Sequence, residues 1–316
     1  MKLNSGTMSG FVAILLWSAT VAFARSLSEQ LGPLTAAAAV YSVSGAIAVT
    51  LLLFNRDKVQ KIRELPRKYL MGCGALFITY MLVFFLAVGM AKGRQQVLEV
   101  GLLNYLWPAL TIFLSLILLK KKANFLLLPG TLLALCGIFF VVTQGVRVSW
   151  HSFSQNLASN PVSYSLGLSA AVSWSLYSTL TRRWAHDETE GAVDLFLPAT
   201  GMALILLCFF VDEQRMWSLR SLAEATFLGV TTYLAYGLWD SAMRKGNVVL
   251  VAAGSYLTPL LSTLVSCMYL SVSAKPSLWV GCGMLVFGSL LSWVSVSETV
   301  PMKLTQQHGP SDEDEL

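Results

Sequence analysis

Six aromatic side chains with a polar edge, Trp17, Tyr80, Trp107, Trp174, Tyr233 and Tyr256, fall well inside long apolar runs of the chain. Buried so deep, an indole N–H or a phenol hydroxyl needs a hydrogen-bond partner or a wet cavity. Together they could form a pocket that stacks on a flat ring; for each alone, ordinary helix packing is the alternative. Two prolines sharpen the cavity reading. A proline inside a helix frees the carbonyl four residues earlier. For Pro108 that residue is Asn104, and for Pro259 it is Ser255. Two freed carbonyls, an amide and a hydroxyl could hold an ammonium group or guide a polar solute. The alternative is a packing kink satisfied by neighbouring helices.

Ionisable candidates are few. Glu99 lies near one end of its apolar run, and an intramembrane carboxylate marks a functional site by default; a pair with nearby Arg94 is the alternative. Asp240 precedes Arg244 by four residues, which a helical ion pair explains. The histidines, His151, His186 and His308, fall in loops or the tail. No metal spacing, nucleophile with a base, or phosphate-binding loop is present, so no catalytic residue, metal or cofactor is expected. Cys73, Cys136, Cys208, Cys267 and Cys282 sit in apolar stretches without a Cys-x-x-Cys pair, as small core residues do.

The elements that must carry these residues are membrane helices. Of 316 residues, 55% are hydrophobic and only 12% charged, against about 25% charged in a soluble domain. Long uncharged runs, such as Gln30 to Asn55 and Tyr69 to Ala91, exceed the roughly 20 residues that cross a bilayer. Ten spans are predicted. The seventh and eighth, Leu195 to Val211 and Ala225 to Trp239, are short and need flanking charges to snorkel. With the N-terminus cytoplasmic, 15 of the 22 basic residues fall on the cytoplasmic side, led by the cluster from Arg56 to Lys68. The positive-inside rule then places both termini in the cytoplasm. The net charge of +5 follows topology and implies no nucleic acid.

The two halves echo one another in order. Trp17-Ser18 is matched by Trp174-Ser175, Tyr80 by Tyr233, and Asn104-Tyr105-Leu106-Trp107-Pro108 by Ser255-Tyr256-Leu257-Thr258-Pro259. Gly130 and Gly137 are matched by Gly281 and Gly288, and the offset drifts only from 157 to 151. An odd number of spans per half inverts the second half. The expected fold class is therefore an all-α membrane protein of ten transmembrane helices in two inverted five-helix repeats. The repeats cover 1–147 and 148–298, and 299–316 form a disordered acidic tail. Inverted repeats are the mark of alternating-access transporters with a midplane site at the repeat interface. The first span resembles a signal peptide, ending Ala22-Phe23-Ala24, but its counterpart around Trp174 argues that it stays.

With those spans and Asn104-Tyr105-Leu106-Trp107-Pro108 in place, the chain resembles the drug/metabolite transporters of the EamA type. The likeness is carried by Leu16-Trp17-Ser18, Tyr41-Ser42-Val43-Ser44-Gly45, Glu99-Val100-Gly101 through Pro108, and Ala252-Ala253-Gly254-Ser255-Tyr256 to Pro259. It implies a monomeric bacterial inner-membrane exporter of aromatic amino acids, with a basket-shaped central cavity. The substrate ring would then pack against Trp17, Trp107 and Trp174. Tyr80, Tyr105 and Tyr256 would supply hydroxyls, Asn104 would hold the polar end, and Pro108 and Pro259 would be flexing points. Transport of other metabolites or cationic drugs, or a pore, are the rival expectations.

Overall fold

The computed structural model describes residues 4–143, 149–185, 191–269 and 276–297. Arg147, His186, Lys275, His308 and the acidic tail lie outside the described residues, as does the side chain of Arg94. The first half holds α1 (Ser5–Leu31), α2 (Pro33–Phe54), the short α3 (Arg56–Arg63), α4 (Gly74–Met90), α5 (Gly93–Asn104), α6 (Trp107–Leu118) and α7 (Leu127–Val142). A π-helical turn, Lys68–Cys73, leads into α4. The second half holds α8 (Trp150–Ser159), α9 (Pro161–Trp184), α10 (Val193–Cys208), α11 (Leu219–Lys245), α12 (Val248–Gly254), α13 (Thr258–Tyr269) and α14 (Pro276–Val294). Among the described residues the one strand pairing, Lys122–Ala123 with Val296–Ser297, is two residues long. The fold is all-α, as expected.

Local chemistry explains where the helices begin. The Asn4 side chain accepts from Thr7 N at 2.8 Å and donates to Lys245 O at 2.8 Å, capping α1 and pinning it to the end of α11. Pro33 opens α2, and the Glu213 carboxylate, from the loop after α10, accepts from Leu34 N and Thr35 N at 3.0 and 2.8 Å. A carboxylate there also meets the positive end of the helix dipole. Ser149 with Ser152, and Ser218 with Ser221, form capping boxes that start α8 and α11.

Among the described residues three helical stretches are long and apolar enough to cross a membrane: Pro33–Phe54, Lys68–Met90 and Gln95–Leu118. A fourth, Ser5–Thr20 with Phe23–Leu31, qualifies as a pair bent by 48°. The other apolar helices are shorter, among them Leu127–Val142 and Val193–Cys208. Helices α9 and α11, of 24 and 27 residues, have the length but are rich in Ser and Thr.

Packing is dominated by contacts between the halves. Helix α1 lies along α11, α4 along α9, α2 along α10 and α7 along α14. Glycine permits two of these approaches. A Cβ on Gly130 would sit 2.7 Å from Ser292 N, and one on Gly137 2.7 Å from Leu285 N, so α7 and α14 meet backbone to backbone. A Cβ on Gly201 would sit 2.8 Å from Tyr41 O, which brings α10 against α2.

Candidate functional site

Both proline-bearing segments break one turn before the proline. Tyr105 N still donates to Gly101 O at 3.0 Å, but Leu106 N donates to Leu103 O at 3.1 Å, a tightened turn between α5 and α6. In the second half a 3₁₀ turn, Ser255–Leu257, separates α12 from α13 at the matching place. Pro108 and Pro259 thus each sit at the start of a new helix, as the missing N–H and the clash with residue i−4 require. The Ser255 hydroxyl is consumed locally, donating to Ala252 O at 2.6 Å.

At the level of these breaks lies a cavity of about 240 Å³, lined by Trp17, Tyr80, Phe84, Gly101, Asn104, Tyr105, Trp107, Trp174, Tyr236 and Thr258. Trp17, Tyr80, Asn104, Tyr105, Trp107 and Trp174, read from the sequence as candidates, are brought together here. Tyr256 is not. It is fully buried in a neighbouring core with Ile112, Ala134, Ile138 and Leu285. Tyr256 lies within the 3₁₀ turn, and Thr258, just after it, is on the cavity wall. Tyr236, Phe84 and Thr258 were missed as candidates; Thr258 is the repeat counterpart of Trp107, and that correspondence could have found it.

The rings form one connected assembly. Trp174 is its hub, with centroids 4.8 Å from Tyr80, 5.7 Å from Tyr236, 6.0 Å from Trp17 and 6.3 Å from Trp107. Several of these contacts are edge-to-face, the favoured aromatic geometry. Three buried polar atoms of lining residues have no partner among the described residues: Trp17 Nε1, Asn104 Oδ1 and Thr258 Oγ1. Buried polar atoms are normally satisfied, so a donor, an acceptor and a hydroxyl stand ready in a wall that is otherwise aromatic. Among the described residues no carboxylate, lysine, arginine or histidine lines this cavity.

Beneath it lies Trp239, fully buried, with centroids 5.1 Å from Trp17, 5.4 Å from Trp107 and 5.9 Å from Trp174. Its Nε1 donates to Ser178 Oγ at 3.2 Å. The next residue, Asp240, accepts from Tyr69 at 2.6 Å, Tyr177 at 3.3 Å and Arg244 Nε at 2.7 Å. The helical pair read from the sequence is present, and it is part of a larger buried network. Beyond it opens a second cleft of about 310 Å³, where Lys58 pairs with Asp194 at 2.7 Å and Tyr233 donates to Asp194 at 3.0 Å. Tyr233 therefore sits in this charged cleft and not beside its counterpart Tyr80.

Glu99 is fully buried but faces away from the cavity. Its carboxylate accepts from Gln95 Nε2 at 3.0 Å, from Asn156 Nδ2 at 3.2 Å and from the Tyr164 hydroxyl. Its partners among the described residues are all neutral. Among the described residues no group of His, Cys, Asp and Glu is placed to hold a metal.

The chain is 34% identical over 296 residues to the aromatic amino acid exporter YddG of Escherichia coli (strain K12), covering 93% of this chain and 99% of that one. It is 36% identical to the aromatic amino acid exporter YddG of Salmonella typhimurium (strain 14028s / SGSC 2262), with the same coverage. A solved crystal structure superposes with a TM-score of 0.76 at 26% identity, covering 92% of this chain and 98% of its own. The EamA-like transporter family matches residues 4–143 and 162–294. Over nearly its whole length, then, this chain belongs to the EamA-like transporter family.

Proposed function

We propose that this chain is a bacterial inner-membrane exporter of aromatic amino acids that works by alternating access around the indole-lined cavity. The observation that carries the reading is the composition of that wall among the described residues: packed rings, three unpartnered polar atoms, and no charged side chain. An aromatic amino acid presents a flat apolar ring and a small zwitterionic end of zero net charge. The ring goes against Trp17, Trp107 and Trp174. The polar end goes to Asn104, Thr258 and the Tyr80 and Tyr105 hydroxyls. A cationic drug would bring an unbalanced charge into a site with no counter-charge, which is costly when desolvated. The names of the two bacterial relatives support the substrate class.

The architecture we propose is ten spans in two inverted repeats, 1–147 and 148–298, with both termini cytoplasmic. The packing supports it: exchanging the halves turns the α1–α11 contact into α9–α4 and leaves α2–α10 and α7–α14 unchanged. So does the family match, one stretch of which falls in each half. Pro108 and Pro259 would then be matched flexing points, and the unit of transport a monomer. The test is uptake by purified protein in liposomes over a panel of amino acids. Saturable counterflow of tryptophan and phenylalanine is expected; unsaturable flux would indicate a pore, and preference for organic cations would overturn the substrate class.

A further inference from the structure

We infer that Gly101 sets the largest ring the cavity admits. This rests on the proposed function and adds a specificity-determining position to it.

A glycine in a helix interior is destabilising relative to alanine, so something must compensate for it. The usual compensations are a positive φ or a close approach of another backbone. Gly101 has neither. Among the described residues only Gly32, Gly93 and Lys120 have positive φ. A Cβ on Gly130, Gly137 or Gly201 would come within 2.7 or 2.8 Å of another helix's backbone, whereas one on Gly101 would meet no neighbouring atom within 4 Å. Gly237 and Gly283 share that open surrounding, but neither borders the aromatic cavity. Gly101 lies in α5, one helical turn before Asn104 and Tyr105, and all three border the cavity. Residues three and four apart share a helix face. The space a side chain at 101 would occupy is therefore cavity space, in a volume of only about 240 Å³.

The same cavity is bordered by the rings of Tyr80 and Trp174, which pack on each other with centroids 4.8 Å apart. They cannot retreat without disturbing the core, so added volume at 101 comes out of the substrate's share. A bicyclic indole loses more than a single phenyl ring. One methylene too many in a closed apolar site discriminates by roughly 10- to 200-fold.

The experiment compares wild type, Gly101→Ala and Gly101→Leu in liposomes, measuring counterflow of tryptophan and phenylalanine per folded molecule together with thermal stability. Gly101→Leu is expected to weaken tryptophan transport about tenfold or more relative to phenylalanine. Gly101→Ala is expected to shift the ratio in the same direction, less strongly, with unchanged or higher melting temperature. Equal change for both substrates, or a drop in folded yield for Gly101→Ala, would overturn the inference and make Gly101 a packing residue. Failure of wild type to carry either substrate would instead overturn the proposed function, and the inference with it.

Discussion

At the scale of single residues, burial separates binding groups from packing groups. Asn104 Oδ1 and Thr258 Oγ1 are unpartnered, so removing them should not cost the fold a hydrogen bond. Thr258→Val is expected to keep or raise thermal stability, and Asn104→Leu to cost only the hydrogen bond between its amide and Tyr80; both should weaken substrate affinity by roughly 1–3 kcal/mol, since each leaves a substrate polar group unpaired. Binding titration beside a melting curve checks this; lost stability with unchanged affinity would make both residues structural. Trp107 and Trp174 form a second pair of tests. Losing one ring should reduce affinity for tryptophan or phenylalanine by up to about tenfold, from about 0.5–1.5 kcal/mol of aromatic contact. Trp107→Leu should show this at near-normal expression. Trp174 is the hub of the ring assembly, so Trp174→Leu should lower folded yield as well. Much of this site was legible in the sequence, because Trp, Tyr and Asn inside apolar runs are costly and stand out. Thr258 and Gly101 were not singled out, because small residues carry no such cost. Tyr256 packs in the neighbouring core and not on the cavity wall, because a matched motif does not fix side-chain direction.

At the scale of elements, hydropathy identified helices well and their interruptions less well. The two prolines announced the breaks, but not that each would come as a tightened turn leaving helices of only 7 to 12 residues on either side. Polar anchors near the helix ends, Glu213, Glu224 and Asp194, were not singled out from the sequence, because their partners lie far away along the chain. In the structure Glu224 accepts from Ser26 at 2.9 Å and Gln30 at 2.9 Å, joining α11 to α1. The matched glycines were legible, and their geometry makes a firm prediction. A Cβ on Gly137 would already lie 2.7 Å from Leu285 N and 2.8 Å from Gly281 O. Gly137→Leu should therefore force α7 and α14 apart, and overpacking of this kind costs about 1–3 kcal/mol. We expect reduced folded yield and a lower melting temperature, with near-normal substrate affinity in what folds, since neither helix borders the cavity. A change confined to affinity would place this helix pair in the transport path.

For the whole molecule, the question is what drives directed movement. Among the described residues the aromatic cavity is lined by no carboxylate, lysine, arginine or histidine, whereas proton relays in pumps are built from such groups at depth. The buried Asp240 beneath Trp239 is already bound to Arg244, Tyr69 and Tyr177. Removing one partner of that ion pair would leave the other charge buried and uncompensated. Its expected role is to hold α11 against α9 and the Lys68–Cys73 turn. Glu99 is the exception. It is fully buried, and its partners among the described residues are neutral, which makes it the carboxylate to test for coupling. We nevertheless expect facilitated diffusion, because Glu99 faces α8 and α9 and not the cavity. The decisive measurement imposes a pH step across liposomes containing wild type or Glu99→Gln and follows tryptophan. Equilibration without accumulation, at similar rates in both, is the expected outcome. Accumulation against a gradient in wild type, abolished in Glu99→Gln while counterflow persists, would show that the carboxylate couples export to protons.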